Sequence, residues 1–170
     1  MVDFLYKNFL RTFQLFFLRV GLSGKNYQNF KDLNFKQNDF INYKIIKHYV
    51  VKDNFINNVN ILDAHMFNFL FFYQKLGGKK GIELSKKNIF LWFKKFKYNK
   101  KFLWNANYAS KRFINLVYSY DFICSISNEK EIDQINKILN FHIKRITFEL
   151  GLKKIDNISS NEILALVLIE

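Results

Sequence analysis

The sequence predicts an α+β domain of the ferredoxin-like βαββαβ type, an antiparallel sheet with two helices on one face and helical extensions at both ends. Apolar residues that recur at steps of three and four predict two internal helices, one over 54–76 and a shorter one that starts at Ser127 or Asn128. Strand-like runs, with alternating or β-branched and aromatic residues, predict four strands, over 43–51, 81–96, 112–127 and 143–150.

Residues at the ends of these segments support the two predicted helices. Asp53 or Asn54 can cap the first helix, and the Gly77-Gly78 pair is expected to end it. Glu129 and Glu131 lie in the first turn of the second helix, where the helix dipole favours acidic side chains. The alternation over 112–127 is the longest in the chain, so we expect this strand to form one arm of a long hairpin.

Composition divides the chain into a central domain and two extensions. Residues 1–40 form the predicted N-terminal extension, with a helix followed by a polar, Asn-rich linker. Residues 41–151 form the predicted ferredoxin-like domain, and residues 152–170 a helical tail that Ser159 or Ser160 can cap. The tail presents Ile163, Leu166 and Val167, which favours a protein neighbour.

The charge of the chain points to a polyanionic partner. Lys and Arg number 27 against 14 Asp and Glu, so the formal net charge is +13. Twelve basic residues lie between Lys75 and Arg112, and Glu83 is the only acid among them. Aromatic residues interleave with these lysines, which is typical of nucleic-acid binding through phosphate neutralisation and base stacking. The alternatives are an acidic lipid surface and a solvated basic loop whose Phe residues lie in the core.

We expect a basic hairpin loop over about 93–112 to bind RNA. Its lysines and Arg112 would neutralise phosphates, while Trp104 and Tyr108 would stack on or wedge between bases. The predicted RNA-binding residues are Lys86, Lys87, Lys94, Lys95, Lys97, Lys100, Lys101, Trp104, Asn105, Asn107, Tyr108, Lys111 and Arg112.

Amino-acid usage indicates an AT-rich genome, most simply an organellar one. The chain has no Pro but 21 Phe, and the amino acids with AT-rich codons are abundant. We therefore expect a mitochondrial location and an organelle-encoded gene. The basic, amphipathic N-terminus resembles a transit peptide, but an extension that packs on a neighbour is the favoured interpretation. The longest uncharged apolar stretch, 64–74, is too short to span a membrane.

Motifs for catalysis or metal binding are missing from the sequence. His48, His65 and His142 share no metal-ligand spacing, and Cys124 lies on an apolar face as an inert thiol. The glycine-rich segment 77–81 lacks the Gly-Lys-Ser/Thr ending of a phosphate-binding loop. We therefore predict no enzymatic activity, no metal, no cofactor and no small-molecule substrate.

The stretch 107–150 resembles the family of small-subunit ribosomal protein ten. The resemblance is carried by a Lys/Ser/Arg segment, a short helix pattern and a final amphipathic segment: Ser110, Lys111, Arg112 and Phe113, then Lys130, Ile132, Asp133, Ile135 and Ile138, then 143–150. It implies a ferredoxin-like domain in the head of the small ribosomal subunit, with a long loop threaded into ribosomal RNA. It also implies contacts with small-subunit proteins three, nine and fourteen. The proline-rich loop signature of the family is absent here.

Together these features predict a structural constituent of the small subunit of a mitochondrial ribosome. Its basic loop would bind small-subunit ribosomal RNA, and its extensions would bind lineage-specific ribosomal proteins. The alternative is a soluble accessory subunit of a mitochondrial respiratory-chain complex, held by the aromatic first segment and the apolar tail.

Overall fold

The structure, a computed structural model, is helical throughout the part of the chain that it describes, residues 2–19, 62–98 and 102–170. Helices, with the short 3-10 turns included, make up 85% of these residues, and none of them lies in a strand. The predicted ferredoxin-like βαββαβ fold is therefore wrong. The predicted strand over 43–51 lies outside the described residues, whereas the other three predicted strands are replaced by helices.

Eight α-helices are formed within the described ranges. In chain order they are α1 (Val2–Arg19), α2 (Leu62–His65), α3 (Phe69–Leu76), α4 (Gly78–Phe96), α5 (Ala106–Tyr118), α6 (Tyr120–Cys124), α7 (Glu129–Gly151) and α8 (Ser160–Ile169). Two 3-10 turns, Phe102–Trp104 and Ile155–Asn157, precede α5 and α8.

Helix α5 is the centre of the fold. It packs most extensively against α7 and α8, and it also contacts α3, α6 and the 3-10 turn before it. Helices α3 and α4 pack on each other, and α4 reaches α6. Ala109, Phe113 and Leu116 of α5 are fully buried in the single large apolar core. Six consecutive residues of this helix, 112–117, are buried, so exposure within that stretch shows no helical period.

That burial explains why 112–127 resembles a strand but is helical. Alternation along a strand over 112–127 would point Val117 and Ile123 away from the face that carries Leu116, yet all three residues are buried. The buried positions from Ala109 through Phe113 to Leu116 follow steps of three and four, which is the helical period. A nearly continuous apolar run fits either structure, and here the packing around α5 selects the helix.

Helices α4 and α7 replace the other two predicted strands for a similar reason. In α4 buried side chains recur at positions 82, 85, 89, 92 and 96, with Lys86 and Asn88 buried beside them, whereas Leu91 is exposed. In α7 the buried stripe continues without a break from Ile135 through His142 and Ile146 to Glu149. A half-buried strand over 143–150 would point Arg145 and Glu149 to the side opposite Ile146, but all three residues are buried.

Several helix ends agree with the local sequence signals. Asn128 caps α7, and its side chain and that of Glu131 hydrogen-bond each other's backbone N–H groups at 3.0 and 3.1 Å. The Glu162 carboxylate accepts a bond from the Ser159 N–H at 2.7 Å at the start of α8. Helix α3 ends before Gly77, which adopts a positive φ of 68° that glycine tolerates best.

The predicted helix over 54–76 is interrupted within its described part. Phe67 separates α2 from α3 and takes a φ of 63°, which is uncommon for a large side chain. Its ring is fully buried and lies 5.1 Å from the Trp92 ring and 5.4 Å from the Phe69 ring, centroid to centroid. Aromatic packing therefore holds this residue in a strained backbone conformation.

Both terminal helices are tied to the core by ion pairs. Arg11 of α1 donates to both carboxylate oxygens of Glu149 at 2.8–3.2 Å. Lys153, which follows α7, donates to Glu162 of α8 at 2.6 Å, and Ala165 of α8 is fully buried. The predicted boundary at residue 40 lies outside the described residues, and the one at residue 151 coincides with the last residue of α7.

Gly81 allows α3 and α4 to approach closely. A Cβ atom at this position would lie 2.3 Å from the Tyr73 carbonyl oxygen, so the Gly81→Ala variant must push the helices apart. We expect it to lose about 1–3 kcal/mol of unfolding free energy, which is typical of overpacking against backbone, despite the better helix propensity of Ala. Thermal and urea denaturation followed by circular dichroism measures this loss.

Gly151→Ala is the matched control, because a Cβ atom there meets nothing within 4 Å. This variant should be as stable as the wild type or slightly more stable. Equal stability of the Gly81→Ala and Gly151→Ala proteins would contradict the close contact of α3 and α4.

Candidate nucleic-acid interface

Arg112, a predicted RNA ligand, lies in the centre of the protein. Its guanidinium carbon is 4.3 Å from the Trp92 ring centroid and 4.6 Å from that of Trp104, so two indoles enclose the cation. Its side chain donates to the His65 and Leu103 carbonyl oxygens at 3.0 and 2.6 Å. This fully buried side chain therefore joins α5 to α2, to α4 and to the 3-10 turn that precedes α5.

His142 completes this cluster as a neutral imidazole. Its Nε2 accepts from Arg112 Nε at 3.2 Å, and its Nδ1 donates to the Ile138 carbonyl oxygen at 2.8 Å in the tautomer that this pairing requires. Burial and then the Arg112 charge lower the pKa of His142 well below its ordinary value. Burial and the neighbouring Arg145 charge likewise lower the pKa of Arg112. We call Arg112, His142, His65, Trp92 and Trp104 the arginine core.

A second buried arginine links the arginine core to α1. Arg145 lies 5.4 Å from the Trp104 ring centroid and 3.6 Å from the Glu149 carboxylate, and it donates to Gln14 at 2.9 Å. Burial lowers the pKa of Arg145 to about 10, although the Glu149 charge opposes that effect. Glu149 thus pairs with both Arg145 and Arg11, and this pairing offsets part of the free-energy cost of burying the charged groups.

Several predicted RNA-binding residues are buried or have structural partners. Arg112 and Trp104 are fully buried, so they cannot reach a nucleic acid, and this part of the prediction is corrected. Trp104 donates its indole N–H to the Phe96 carbonyl oxygen at 2.8 Å. Lys86 is buried and pairs with Glu131 at 2.9 Å. Asn105 caps α5 by accepting from the Tyr108 N–H at 2.9 Å.

The remaining members of the predicted set differ in exposure. Asn107, Tyr108 and Lys111 are half-buried on α5, and Lys111 lines a polar pocket of about 260 Å³ with Asn68, Asn115 and Asn161. Lys100 and Lys101 lie outside the described residues. Lys87, Lys94 and Lys95 are exposed and Lys97 is half-buried, so α4 and its C-terminus carry the accessible charge. In the described residues of the predicted hairpin loop, 93–98 and 102–112, the chain instead forms the end of α4, a 3-10 turn and the start of α5.

Three lysines of α4 form one straight row on the surface. Lys80, Lys87 and Lys94 are exposed and recur every seven residues. A step of seven returns a helical side chain to within about 20° of the same direction and advances it about 10 Å along the axis. Within the described part of the chain, none of the three forms an ion pair. We call these residues the lysine row.

The lysine row lies on the most basic helix of the described part of the chain. Helix α4 carries six lysines and a single acid, Glu83, which approaches Lys79 at 3.8 Å. Lys94 and Lys95 lie in the last turn, where the helix dipole favours positive charge. The row therefore offers free ammonium groups at regular spacing to an extended polyanion.

The sequence located the basic region, but the prediction did not separate the exposed lysines of this region from its buried core residues. The lysines chosen on α4 are largely exposed, whereas Arg112 and Trp104 were assigned to the surface and are internal. The signal that could have separated them is helical register. Arg112 belongs to the apolar stripe with Ala109, Phe113 and Leu116, while the lysine row keeps its own step of seven.

Two exposed apolar surfaces lie on the terminal helices. Phe4, Phe9, Phe13 and Phe16 of α1 are each more than half exposed, and so are Ile163 and Val167 of α8. Leu166, which the sequence placed on the same face of the tail, is half-buried. Contiguous exposed apolar residues are typical of surfaces that contact another macromolecule.

Known protein families, curated proteins and solved structures gave no match to this chain. The fold implied by the resemblance to small-subunit ribosomal protein ten is wrong for the described residues, and Ser110, Arg112 and Phe113 of its motif are buried in α5. Among residues 2–19, 62–98 and 102–170, no helix is long and apolar enough to cross a membrane. The same residues contain no group of three or more metal-ligating side chains.

Replacing Arg112 by Lys separates a core role from an RNA-binding role. Lys keeps the charge, but its compact ammonium group cannot fill the planar space between two indoles or reach three acceptors that are spread around a guanidinium fork. We therefore expect Arg112→Lys to lose about 3 kcal/mol of unfolding free energy, because buried carbonyl oxygens are left without donors. Urea denaturation followed by tryptophan fluorescence measures this loss.

Lys111→Gln is the neighbouring control on the same helix. Lys111 is only half-buried, so this change should alter the unfolding free energy by about 0.5 kcal/mol or less. An Arg112→Lys protein as stable as the wild type would show that the arginine core does not hold the helices together.

Proposed function

We propose that the protein is a structural RNA-binding constituent of a mitochondrial ribosome, in its small subunit, and that it contacts ribosomal RNA through the surface of α4. The observation that carries the proposal is the lysine row, Lys80, Lys87 and Lys94, which is exposed and without ion-pair partners among the described residues. Ammonium groups held at fixed intervals neutralise phosphates and release counterions, so the binding free energy needs no base-specific contact.

The charge of the chain as a whole supports a polyanion as the partner. The formal net charge is +13, and much of the exposed positive charge of the described residues lies on α4. A membrane surface is less favoured, because the apolar side of α4 is buried in the core and cannot enter a lipid layer. The RNA-binding part of the proposal therefore rests on charge and exposure, whereas its placement in the small ribosomal subunit rests on the resemblance of 107–150 to the family of small-subunit ribosomal protein ten.

The mitochondrial location is supported by composition. A chain with no Pro and 21 Phe in 170 residues reflects AT-rich codons, as in an organellar genome. The exposed Phe residues of α1 and the apolar face of α8 are suited to protein neighbours within such a particle.

A soluble accessory subunit of a mitochondrial respiratory-chain complex is the second candidate. The observation that favours it is the same row of exposed Phe residues on α1, which a hydrophobic protein neighbour could cover. A sucrose gradient of mitochondrial lysate distinguishes the two candidates. Migration with the small ribosomal subunit supports the first, and migration with detergent-solubilised membrane complexes supports the second.

The Lys87→Gln/Lys94→Gln double variant tests the lysine row directly. Because it removes two ammonium groups that each neutralise a phosphate, the slope of log affinity against log salt should fall by about 1.4 for single-stranded RNA. The affinity at physiological salt should fall roughly tenfold for the same reason. Fluorescence anisotropy with labelled decauridylate over a salt series measures both quantities.

Lys130→Gln/Lys154→Gln is the matched control, because it removes the same charge from two exposed lysines outside α4. Its affinity and salt slope should stay close to those of the wild type. Equal decreases in the two double variants would mean that RNA responds only to net charge and that α4 is not the interface.

A further inference from the structure

We infer that a groove between α4 and α7 holds an unpaired base of single-stranded RNA, which adds base stacking to the phosphate contacts of the lysine row; this inference rests on the proposed function. The groove has a volume of about 340 Å³ and is lined by Phe90 and Phe93 of α4 and by Gln134 and Ile138 of α7. Lys94, Lys97 and Lys137 also line it. We call it the α4–α7 groove.

The floor of the groove is aromatic and fixed in place. Phe90 and Phe93 are partly buried against the core, and the Phe93 ring meets the Phe141 ring edge-on at 5.1 Å. Because the rings are held by the core, little side-chain entropy is lost when a planar ligand stacks on them. Stacking on an aromatic floor accepts any base, since every base has a π-face.

The lysines around the groove select an anion over a neutral apolar ligand. Lys94 is exposed, and Lys97 is held with its ammonium 4.8 Å from the Tyr98 ring centroid and 6.0 Å from that of Phe93. Lys137 pairs with Asp133 at 2.6 Å, but both side chains are more than half exposed, so a phosphate can compete for this lysine at little cost. Among the described residues that line the groove, none carries a carboxylate.

The groove is continuous with the lysine row through Lys94, which belongs to both. An RNA strand bound along Lys80 and Lys87 can therefore reach the aromatic floor while it stays in contact with α4. Gln134 is exposed beside that floor, and its amide can both donate to and accept from a base edge. A nucleotide of single-stranded RNA fits this groove, because its base can stack on the aromatic rings and its phosphate can contact the lysines. A duplex does not fit, because its bases are already stacked on one another.

Anisotropy titrations with two probes test this assignment, labelled decauridylate and an abasic ribose-phosphate decamer of equal charge. The wild type should bind decauridylate more tightly than the abasic decamer. Phe90→Leu, which keeps an apolar side chain but removes the ring, should lower decauridylate affinity roughly tenfold and leave the abasic decamer unchanged. Phe9→Leu, at an exposed ring of α1 that does not line the groove, should change neither, and melting curves confirm that both variants fold.

The outcomes separate this inference from the proposed function. If both probes bind the wild type equally, or if Phe90→Leu leaves decauridylate affinity unchanged, the groove holds no base although α4 still binds RNA. If neither probe binds, the proposed function and the inference are both overturned. A decaglutamate peptide whose binding depends on Phe90, without any such dependence for decauridylate, would assign the groove to an acidic protein segment and overturn the inference.

Discussion

The fold depends on the enclosure of one guanidinium group by two indole rings. Arg112 has no carboxylate partner among the described residues, so its charge is stabilised by Trp92, Trp104, two backbone carbonyl oxygens and the neutral ring of His142. These groups come from four parts of the chain, namely α2, α4, the 3-10 turn Phe102–Trp104 and α7. A buried charged group needs well-placed hydrogen-bond acceptors, because each donor that is left without one costs folding free energy. The helices are therefore fixed relative to one another by the geometry that this one cation requires.

Basic residues consequently divide into two chemical classes. The arginines of the described core, Arg112 and Arg145, have planar guanidinium groups that lie against Trp104 and donate hydrogen bonds inside the protein. The lysines of α4 are flexible, hydrated point charges, and most of them extend into solvent. This division follows the properties of the two side chains, since guanidinium is the more weakly hydrated cation and is easier to bury. Net charge alone overstates the surface charge, because part of it is inside the protein.

The sequence predicted local features better than the fold. Helix ends at Gly77 and Asn128 follow from backbone chemistry that acts over three or four residues, and the structure contains both. The strand over 112–127 was wrong because residues 112–117 of α5 are all buried, and a stretch without an exposed position lacks the pattern that distinguishes a helix from a buried strand. The basic region was located by composition, but the inward direction of Arg112 depends on contacts with residues up to 47 positions away. Helical register could place Arg112 on the buried side of α5, but a single sequence does not show which distant groups hold its side chain.

The most direct test of α4 as the RNA-binding surface is lysine footprinting of the complex with mitochondrial small-subunit ribosomal RNA. Acetylation of exposed lysines, read by mass spectrometry, reports which ammonium groups the RNA covers. We expect strong protection of Lys80, Lys87 and Lys94, with Lys130 and Lys154 as reactive as in the free protein. Equal protection of all five lysines, or protection of Lys130 and Lys154 alone, would contradict the assignment of α4 as the RNA-binding surface.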